Sequence, residues 1–165
     1  MFTGIIEEVG KLKSIKREGE TITLEVNAPF VSRDIALGSS VAVSGVCLTV
    51  VGVKGDIFVA EMMEETAKKT KLSFLRPGEL LNLERSLKLS SRLDGHIVQG
   101  HVEGVGIISR VVGGKRTKVM WIKTEEEVFR YIVPKGSVAV DGVSLTVIEM
   151  EGSTFSVGLI PATLE

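Results

Sequence analysis

The stretch SVAVSGVCLTV at residues 40–50 returns as SVAVDGVSLTV at residues 137–147, 97 positions later. Nine of the eleven positions are identical, whereas residues of ordinary composition match by chance at about one position in fifteen. An offset of 97, or of 96 near the start of each copy, aligns further identical pairs: Gly4 with Gly100, Val9 with Val105, Gly10 with Gly106, Gly55 with Gly152, Phe58 with Phe155 and Thr66 with Thr163. The chain is therefore a tandem duplication of one module.

Each copy has the pattern of short β-strands. Apolar residues at 22, 24 and 26 alternate with polar ones, which is the period of a half-buried strand. Glu18-Gly19 and Gly113-Gly114 predict hairpins, and residues 80–87 predict the strand that closes copy one. The helix-like patches are short: Pro29–Ile35, Glu64–Lys71 and Glu125–Ile132. We therefore predict an all-β fold of two tandem six-stranded antiparallel Greek-key barrels related by internal duplication, with short helices.

The repeat also predicts the domain boundaries. The N-terminal barrel is expected over residues 1–89 and the C-terminal barrel over 96–165, joined by a linker at Ser90–Asp94. Residue 165 corresponds to residue 68 of copy one, so copy two has no equivalent of residues 69–87 and lacks the closing strand. We expect its sheet to keep an open edge, which proteins normally avoid, and we expect the natural chain to be longer.

Composition argues against several classes of protein. A net charge of −1 gives no general attraction to nucleic acid or to an anionic membrane. A single cysteine excludes an internal disulfide, and no apolar run approaches the roughly 18 to 20 residues that span a bilayer. No dinucleotide fingerprint, Walker loop or Gly-x-Ser-x-Gly elbow is present. We expect a cytoplasmic protein with neither nucleic acid nor membrane as a partner.

The repeated stretch places small polar residues on one face of a strand. Cys47 and Thr49 share a face in copy one, as Ser144 and Thr146 do in copy two, while the valines and leucines between them form the opposite, core face. Small residues also serve tight packing, and a free cysteine often behaves as a small apolar residue. Their recurrence at the same position in both copies favours a face that lines a ligand.

His96 and His101 are the only histidines. On a continuous strand, residues five apart point to opposite faces, so the two are not expected to bind one metal ion together. Each is equally compatible with a histidine at a strand end that bonds to backbone or water.

Five motifs, in order, resemble those of the riboflavin synthase family, whose members contain two lumazine-binding barrels. They are MFTGIIE at residues 1–7, GVCLTV at 45–50, GHIVQGHV at 95–102, DGVSLTV at 141–147 and IPATLE at 160–165. The resemblance covers essentially the whole chain. It implies a dismutation in which two 6,7-dimethyl-8-ribityllumazine molecules exchange a four-carbon unit, giving riboflavin and 5-amino-6-ribitylaminouracil, with no redox cofactor and no metal.

The resemblance also implies partners and site residues. The partners are the lumazine substrate and riboflavin product, further copies of the chain in a homotrimer with sites between subunits, and lumazine synthase. The catalytic residues implied are Cys47, His101, Ser144 and Thr146. His101, Ser144 and Thr146 would line one half-site, and Gly4 to Ile6, Cys47, Thr49 and Glu61 to Thr66 the other. The full set of substrate-binding residues is Gly4, Ile5, Ile6, Cys47, Leu48, Thr49, Glu61, Met62, Met63, Glu64, Glu65, Thr66, Gly100, His101, Val102, Lys135, Asp141, Ser144, Leu145, Thr146, Leu159, Ile160, Pro161, Ala162, Thr163 and Leu164.

Differences between the copies suggest unequal chemistry. Cys47 aligns with Ser144, and Ile5 aligns with His101. We expect shape recognition to be shared and proton transfer to be unequal, with His101 carrying the proton of the acidic ring methyl, because histidine ordinarily titrates near neutrality. Two other functions stay open: a non-catalytic lumazine or flavin carrier of the same fold, and a flavin-holding barrel of an oxidoreductase. The second is disfavoured because no nicotinamide-binding motif is present.

Overall fold

The alternation around residue 24 produces a strand with a buried apolar face. In the computed structural model, which describes residues 1–164, β2 spans Thr21–Asn27. Ile22, Leu24 and Val26 are at most 1% exposed, and the residues between them are only half-buried. They pack with Phe58 and Leu83 in one continuous core. The predicted period of two is therefore confirmed for this strand.

The first compact unit comprises Met1–Val102 together with Ala139–Val143. Its strands form a closed antiparallel barrel in the order β1-β2-β5-β4-β3-β6. The closure depends on β6, which pairs with β1 on one side and β3 on the other. The elements are β1 (Glu8–Glu18), β2, a 3-10 helix (Val31–Asp34), β3 (Ser40–Val43), β4 (Val46–Lys54), β5 (Ile57–Met63), α1 (Glu64–Lys68), a 3-10 helix (Lys71–Phe74) and β6 (Leu80–Arg85).

The second unit comprises Glu103–Val138 and the described residues from Ser144 onward. The sheet of the second repeat is five-stranded, in the order β7-β8-β11-β10-β9. Every residue of the edge strand β7 is exposed. The elements are β7 (Ile107–Gly113), β8 (Lys118–Lys123), α2 (Glu126–Phe129), β9 (Ser137–Val140), β10 (Val143–Glu151), β11 (Thr154–Leu159) and α3 (Pro161–Leu164).

Duplication of a mostly β module is confirmed, but the two copies are not equally complete. Up to residue 164, the second copy has no counterpart of the strand that closes the first barrel, so it is an open sheet rather than a six-stranded barrel. This is the open edge that the repeat arithmetic predicts. Boundaries at 1–89 and 96–165 stay a prediction. No helix within the described part of the chain is long and apolar enough to cross a membrane.

The predicted hairpin turns are present, and the helices are shorter than the predicted helix-like patches. Gly19-Glu20 joins β1 to β2, and residues 114–117 join β7 to β8. The helices in these patches are only four or five residues long. The patch Glu64–Lys71 begins directly after β5, whose last three residues are Glu61, Met62 and Met63. Those residues pair with β2 and are therefore held in the barrel wall.

Gly10 is a position where the barrel wall leaves no room for a side chain. A Cβ there would lie 2.5 Å from Leu83 Cδ1 and 3.2 Å from the Asn27 carbonyl oxygen. We expect Gly10→Ala to lower the free energy of unfolding by about 1–3 kcal/mol, because over-packing moves side chains off their rotamers. Chemical denaturation measures this. Gly52→Ala is the matched control, since its Cβ would be 3.7 Å from Val59. Equal losses in both variants would contradict the packing argument.

Candidate functional site

The repeated stretch forms the same strand in both copies. In β4, Leu48 and Val50 are buried, and the equivalent Leu145 and Val147 are buried in β10. On the opposite faces, Cys47 and Ser144 are both half-buried, and the threonines two residues further on are exposed. The predicted division into a core face and an accessible polar face is therefore confirmed in each copy.

A segment from the start of copy two, residues 96–102, lies against the first barrel. Phe2 and Val98, which occupy equivalent positions in the two copies, form a two-residue antiparallel bridge. The Phe2 N–H donates to the Val98 carbonyl at 2.7 Å, and the Val98 N–H donates to the Phe2 carbonyl at 3.0 Å. Further along, the Cys47 N–H donates to the Gly100 carbonyl at 2.9 Å. Phe2, Ala42 and Val98 are buried together, with Cys47 packed against them.

This docked segment completes a cavity in the first unit. The cavity has a volume of about 330 Å³, which lies within the range of small-molecule sites. Cys47 and His101 both line it, so a thiol and an imidazole share one cavity. Its lining residues are Cys47, Glu65, Thr66, Lys69, Thr70, Gly100, His101 and Val102.

The resemblance assigns His101 and Cys47 to different half-sites, and that assignment stays a prediction. Within this chain, both residues line the same cavity. The cause is the bridge at Val98 and the bond from Cys47 to Gly100, which hold residues 98–101 beside β4. The segment is not a continuous strand, so the five-residue spacing of the histidines does not fix their faces.

Ion pairing and burial set the electrostatics near the cavity. Lys69 Nζ lies 2.8 Å from Glu65 Oε1, and this hydrogen bond holds the pKa of Glu65 below its ordinary value and raises the pKa of Lys69. Burial lowers the pKa of His96 at the start of the docked segment. A pair of full charges therefore lies at the wall of the cavity near neutral pH, and the neutral form of His96 is favoured there.

The other predicted site residues of the first unit have varied surroundings. The Gly4 N–H is bonded to Glu84, and Ile5 is 45% exposed. Leu48 and Met62 belong to the barrel core, because they lie on the inward face of their strands. Ile6 is half-buried, Thr49 pairs with Glu61 across β4 and β5, Met63 is exposed, and Glu64 is paired with Lys68 at 3.1 Å.

Asp141, which belongs to the first compact unit, contacts two other side chains of that unit. Its Oδ1 lies 2.6 Å from Lys71 Nζ, and the Asn82 side-chain amide donates to its carbonyl at 2.9 Å and to Oδ2 at 3.3 Å. The adjacent Gly142 approaches Gly45 so closely that a Cβ on Gly45 would be 2.7 Å from the Gly142 nitrogen. These contacts bring the equivalent turns of the two copies together.

In the second unit, the predicted residues lie on β10, β11 and the loops beside them. Ser144 and Thr146 are on the accessible face of β10, and Leu145 is on its buried face. Lys135 has a positive φ of 63° and donates its N–H to the Val147 carbonyl. Leu159 ends β11, Ile160 is exposed, and Pro161, Ala162, Thr163 and Leu164 form α3. Glu165, the last residue of the fifth motif, lies outside the described residues.

Sequence reasoning missed three residues, two of which line the cavity. Lys69 and Thr70 line it, and the buried Glu84 holds the Thr3-Gly4 backbone. Their equivalents in copy two would fall beyond residue 165, so comparison of the repeats gave no signal for them. In the closing strand, Asn82 and Glu84 alternate with the buried Leu81 and Leu83, so the pattern alone does not distinguish Glu84.

Comparison with known proteins supports the assignment of both copies to one domain family. The lumazine binding domain model matches residues 3–86 and 99–165. The chain is similar to the riboflavin synthase of Actinobacillus pleuropneumoniae, with 43% identity over 100% of this chain and 77% of the relative. It is 45% identical to that of Mycobacterium tuberculosis (strain ATCC 25618 / H37Rv), over 100% of this chain and 84% of the relative.

Solved structures of the same fold are also found. LumP complexed with riboflavin superposes with a TM-score of 0.91 at 22% identity, covering 99% of this chain and 89% of the other. LumP complexed with 6,7-dimethyl-8-(1'-D-ribityl) lumazine gives a TM-score of 0.86 at 22% identity, over 97% and 86%. At this identity the likeness concerns the fold, whereas the family follows from the two matched domains and the full-length relatives. The chain belongs to the riboflavin synthase family, the lumazine-binding transferases.

Proposed function

We propose that this chain is a riboflavin synthase that converts two molecules of 6,7-dimethyl-8-ribityllumazine into riboflavin and 5-amino-6-ribitylaminouracil. The observation that carries the proposal is the cavity of the first unit, where Cys47 and His101 lie together. A thiol supplies a nucleophile and an imidazole a proton carrier, which are the groups that a carbon-transfer reaction on an electron-poor ring needs.

The roles follow from chemistry and position. His101 takes the proton from the acidic ring methyl, and Cys47 and Ser144 bond or transiently add to the ring. Ser144 and Thr146 contact the second lumazine, and backbone groups near Gly4–Ile6 and Ile160–Ala162 bind the pyrimidinedione edge. Two copies of one module suit two identical ring systems. Holding them in a reactive orientation supplies up to about 7–11 kcal/mol in favourable cases.

Assembly and location are part of the proposal. By the resemblance, we propose a homotrimer with sites between subunits. We also propose association with lumazine synthase and a cytoplasmic location. The two domains are proposed to span residues 1–89 and 96–165.

The decisive experiment is an assay with the purified protein and 6,7-dimethyl-8-ribityllumazine alone. We expect riboflavin fluorescence to appear, with 5-amino-6-ribitylaminouracil formed in a one-to-one ratio measured by chromatography. Heat-denatured protein is the control for the uncatalysed reaction. Tight binding of the lumazine without product would instead support the carrier, and neither binding nor product would contradict both functions.

A further inference from the structure

Glu84 is a buried carboxyl group that bonds to the N-terminal segment of the chain. It is 5% exposed and lies on β6, opposite Ala42 of β3. Its Oε1 accepts from the Thr3 N–H at 2.6 Å and from the Thr3 hydroxyl at 2.7 Å, and its Oε2 accepts from the Gly4 N–H at 3.0 Å. Three donors from two consecutive residues therefore converge on one side chain.

The same two residues begin a chain of contacts that ends at the cavity. The Thr3 carbonyl accepts the His96 N–H at 3.0 Å. The neighbouring Phe2 forms the bridge to Val98, and two residues beyond Val98 the Gly100 carbonyl accepts the Cys47 N–H. Fixing Thr3 thereby fixes the surface on which residues 96–102 dock.

We propose that Glu84 is a positioning residue of the site, which holds the Thr3-Gly4 backbone so that the segment carrying His101 docks beside Cys47. It acts through that backbone, because Glu84 does not line the cavity. In its relation to lumazine chemistry the inference rests on the proposed function. The docking itself is a property of the protein without ligand.

The chemistry of the side chain explains why a glutamate occupies this position. An ionised carboxyl offers acceptor sites on both oxygens and no donor, which matches three donors. A glutamine in the same place would turn an N–H₂ group toward at least one of those donors, leaving buried groups unpaired. The position therefore favours a carboxyl group over an amide of almost identical size.

Cys47 provides a direct probe, because it is the only cysteine and is partly covered by the docked segment. The rate at which dithionitrobenzoate modifies native protein reports how often this segment opens. We expect Glu84→Gln to raise that rate by about tenfold, as loss of a hydrogen bond to a charged group costs at least this much in a local equilibrium. An unchanged rate would overturn the proposal.

Glu8→Gln is the matched control for general destabilisation. The Glu8 carboxyl also accepts from two consecutive backbone N–H groups, those of Phe30 at 3.1 Å and Val31 at 2.8 Å, and it does not line the cavity. We expect this variant to lose stability in chemical denaturation without faster modification of Cys47. Equal acceleration in Glu8→Gln and Glu84→Gln would overturn the proposal, because it would reflect global opening.

Thr3 variants keep the test decisive if Glu84→Gln does not fold. Thr3→Val removes only the hydroxyl donor and should raise the Cys47 rate by roughly threefold, while Thr3→Ser, which keeps the hydroxyl, should restore the wild-type rate. Matching rates in the two variants would contradict the proposal.

Ligand measurements connect the docking to the site. We expect Glu84→Gln to raise the KM for 6,7-dimethyl-8-ribityllumazine and its Kd several-fold more than it lowers kcat, because a displaced cavity wall is restored when ligand binds. A fall in kcat at unchanged KM would count against a positioning role. If the wild-type protein bound no lumazine, the proposed function would fail, but the Cys47 rates would still decide the role of Glu84.

Discussion

Replacing His101 with alanine should lower kcat by about 10²–10⁴-fold, the usual contribution of a positioned proton carrier. His101 lines the cavity with Cys47 and is exposed on that wall, so its removal leaves the barrel core intact. We therefore expect the Kd for 6,7-dimethyl-8-ribityllumazine to change by less than about tenfold. Steady-state kinetics and a fluorescence titration on the same preparation measure the two effects.

The matched control is Ile5→Ala, because Ile5 occupies the position in copy one that His101 occupies in copy two. Ile5 has no titratable group, so its truncation should weaken packing against ligand and leave proton transfer in place. We expect a smaller loss, mainly in KM. Equal losses of kcat in the two variants would contradict the idea that the copies handle protons unequally.

The parts of the fold that could be predicted depend on local periodicity. The alternation in β4 and β10 assigns each side chain to one face of a strand, and both copies bear this out, with Leu48 and Leu145 buried and Thr49 and Thr146 exposed. The alignment of the two copies also predicted the open second sheet, because residues equivalent to the closing strand β6 fall outside the second copy. These properties follow from sequence spacing alone.

The cavity could be predicted only in part, because its walls meet through long-range contacts. The sequence predicts Cys47 and His101 as site residues, but their shared cavity depends on the bridge from Phe2 to Val98, across 96 positions of sequence. No periodicity encodes such a pairing. Glu84 was missed for the same reason, since its partners are about 80 positions away at the N-terminus.

Gly100→Ala should have the largest effect on the docked segment. Gly100 has a φ of 83°, which disfavours any side chain, and a Cβ there would lie 2.6 Å from Cys47 Cβ and 3.0 Å from the Cys47 nitrogen. Strain alone costs roughly 1–2 kcal/mol, and the overlap with β4 adds about 1–3 kcal/mol. Undocking relieves both, so the bond from Cys47 to Gly100 should break while the barrel stays folded.

The expected results are faster modification of Cys47 than in Glu84→Gln and a loss of lumazine affinity greater than about tenfold, with a cooperative unfolding transition retained. Gly19→Ala separates strain from overlap, because its φ is 60° and nothing lies within 4 Å of the added Cβ. That variant should lose stability by the strain cost and keep the wild-type Cys47 rate and affinity. If Gly100→Ala behaved like Gly19→Ala in all three measurements, contact between Gly100 and β4 would not be what holds His101 in the cavity wall.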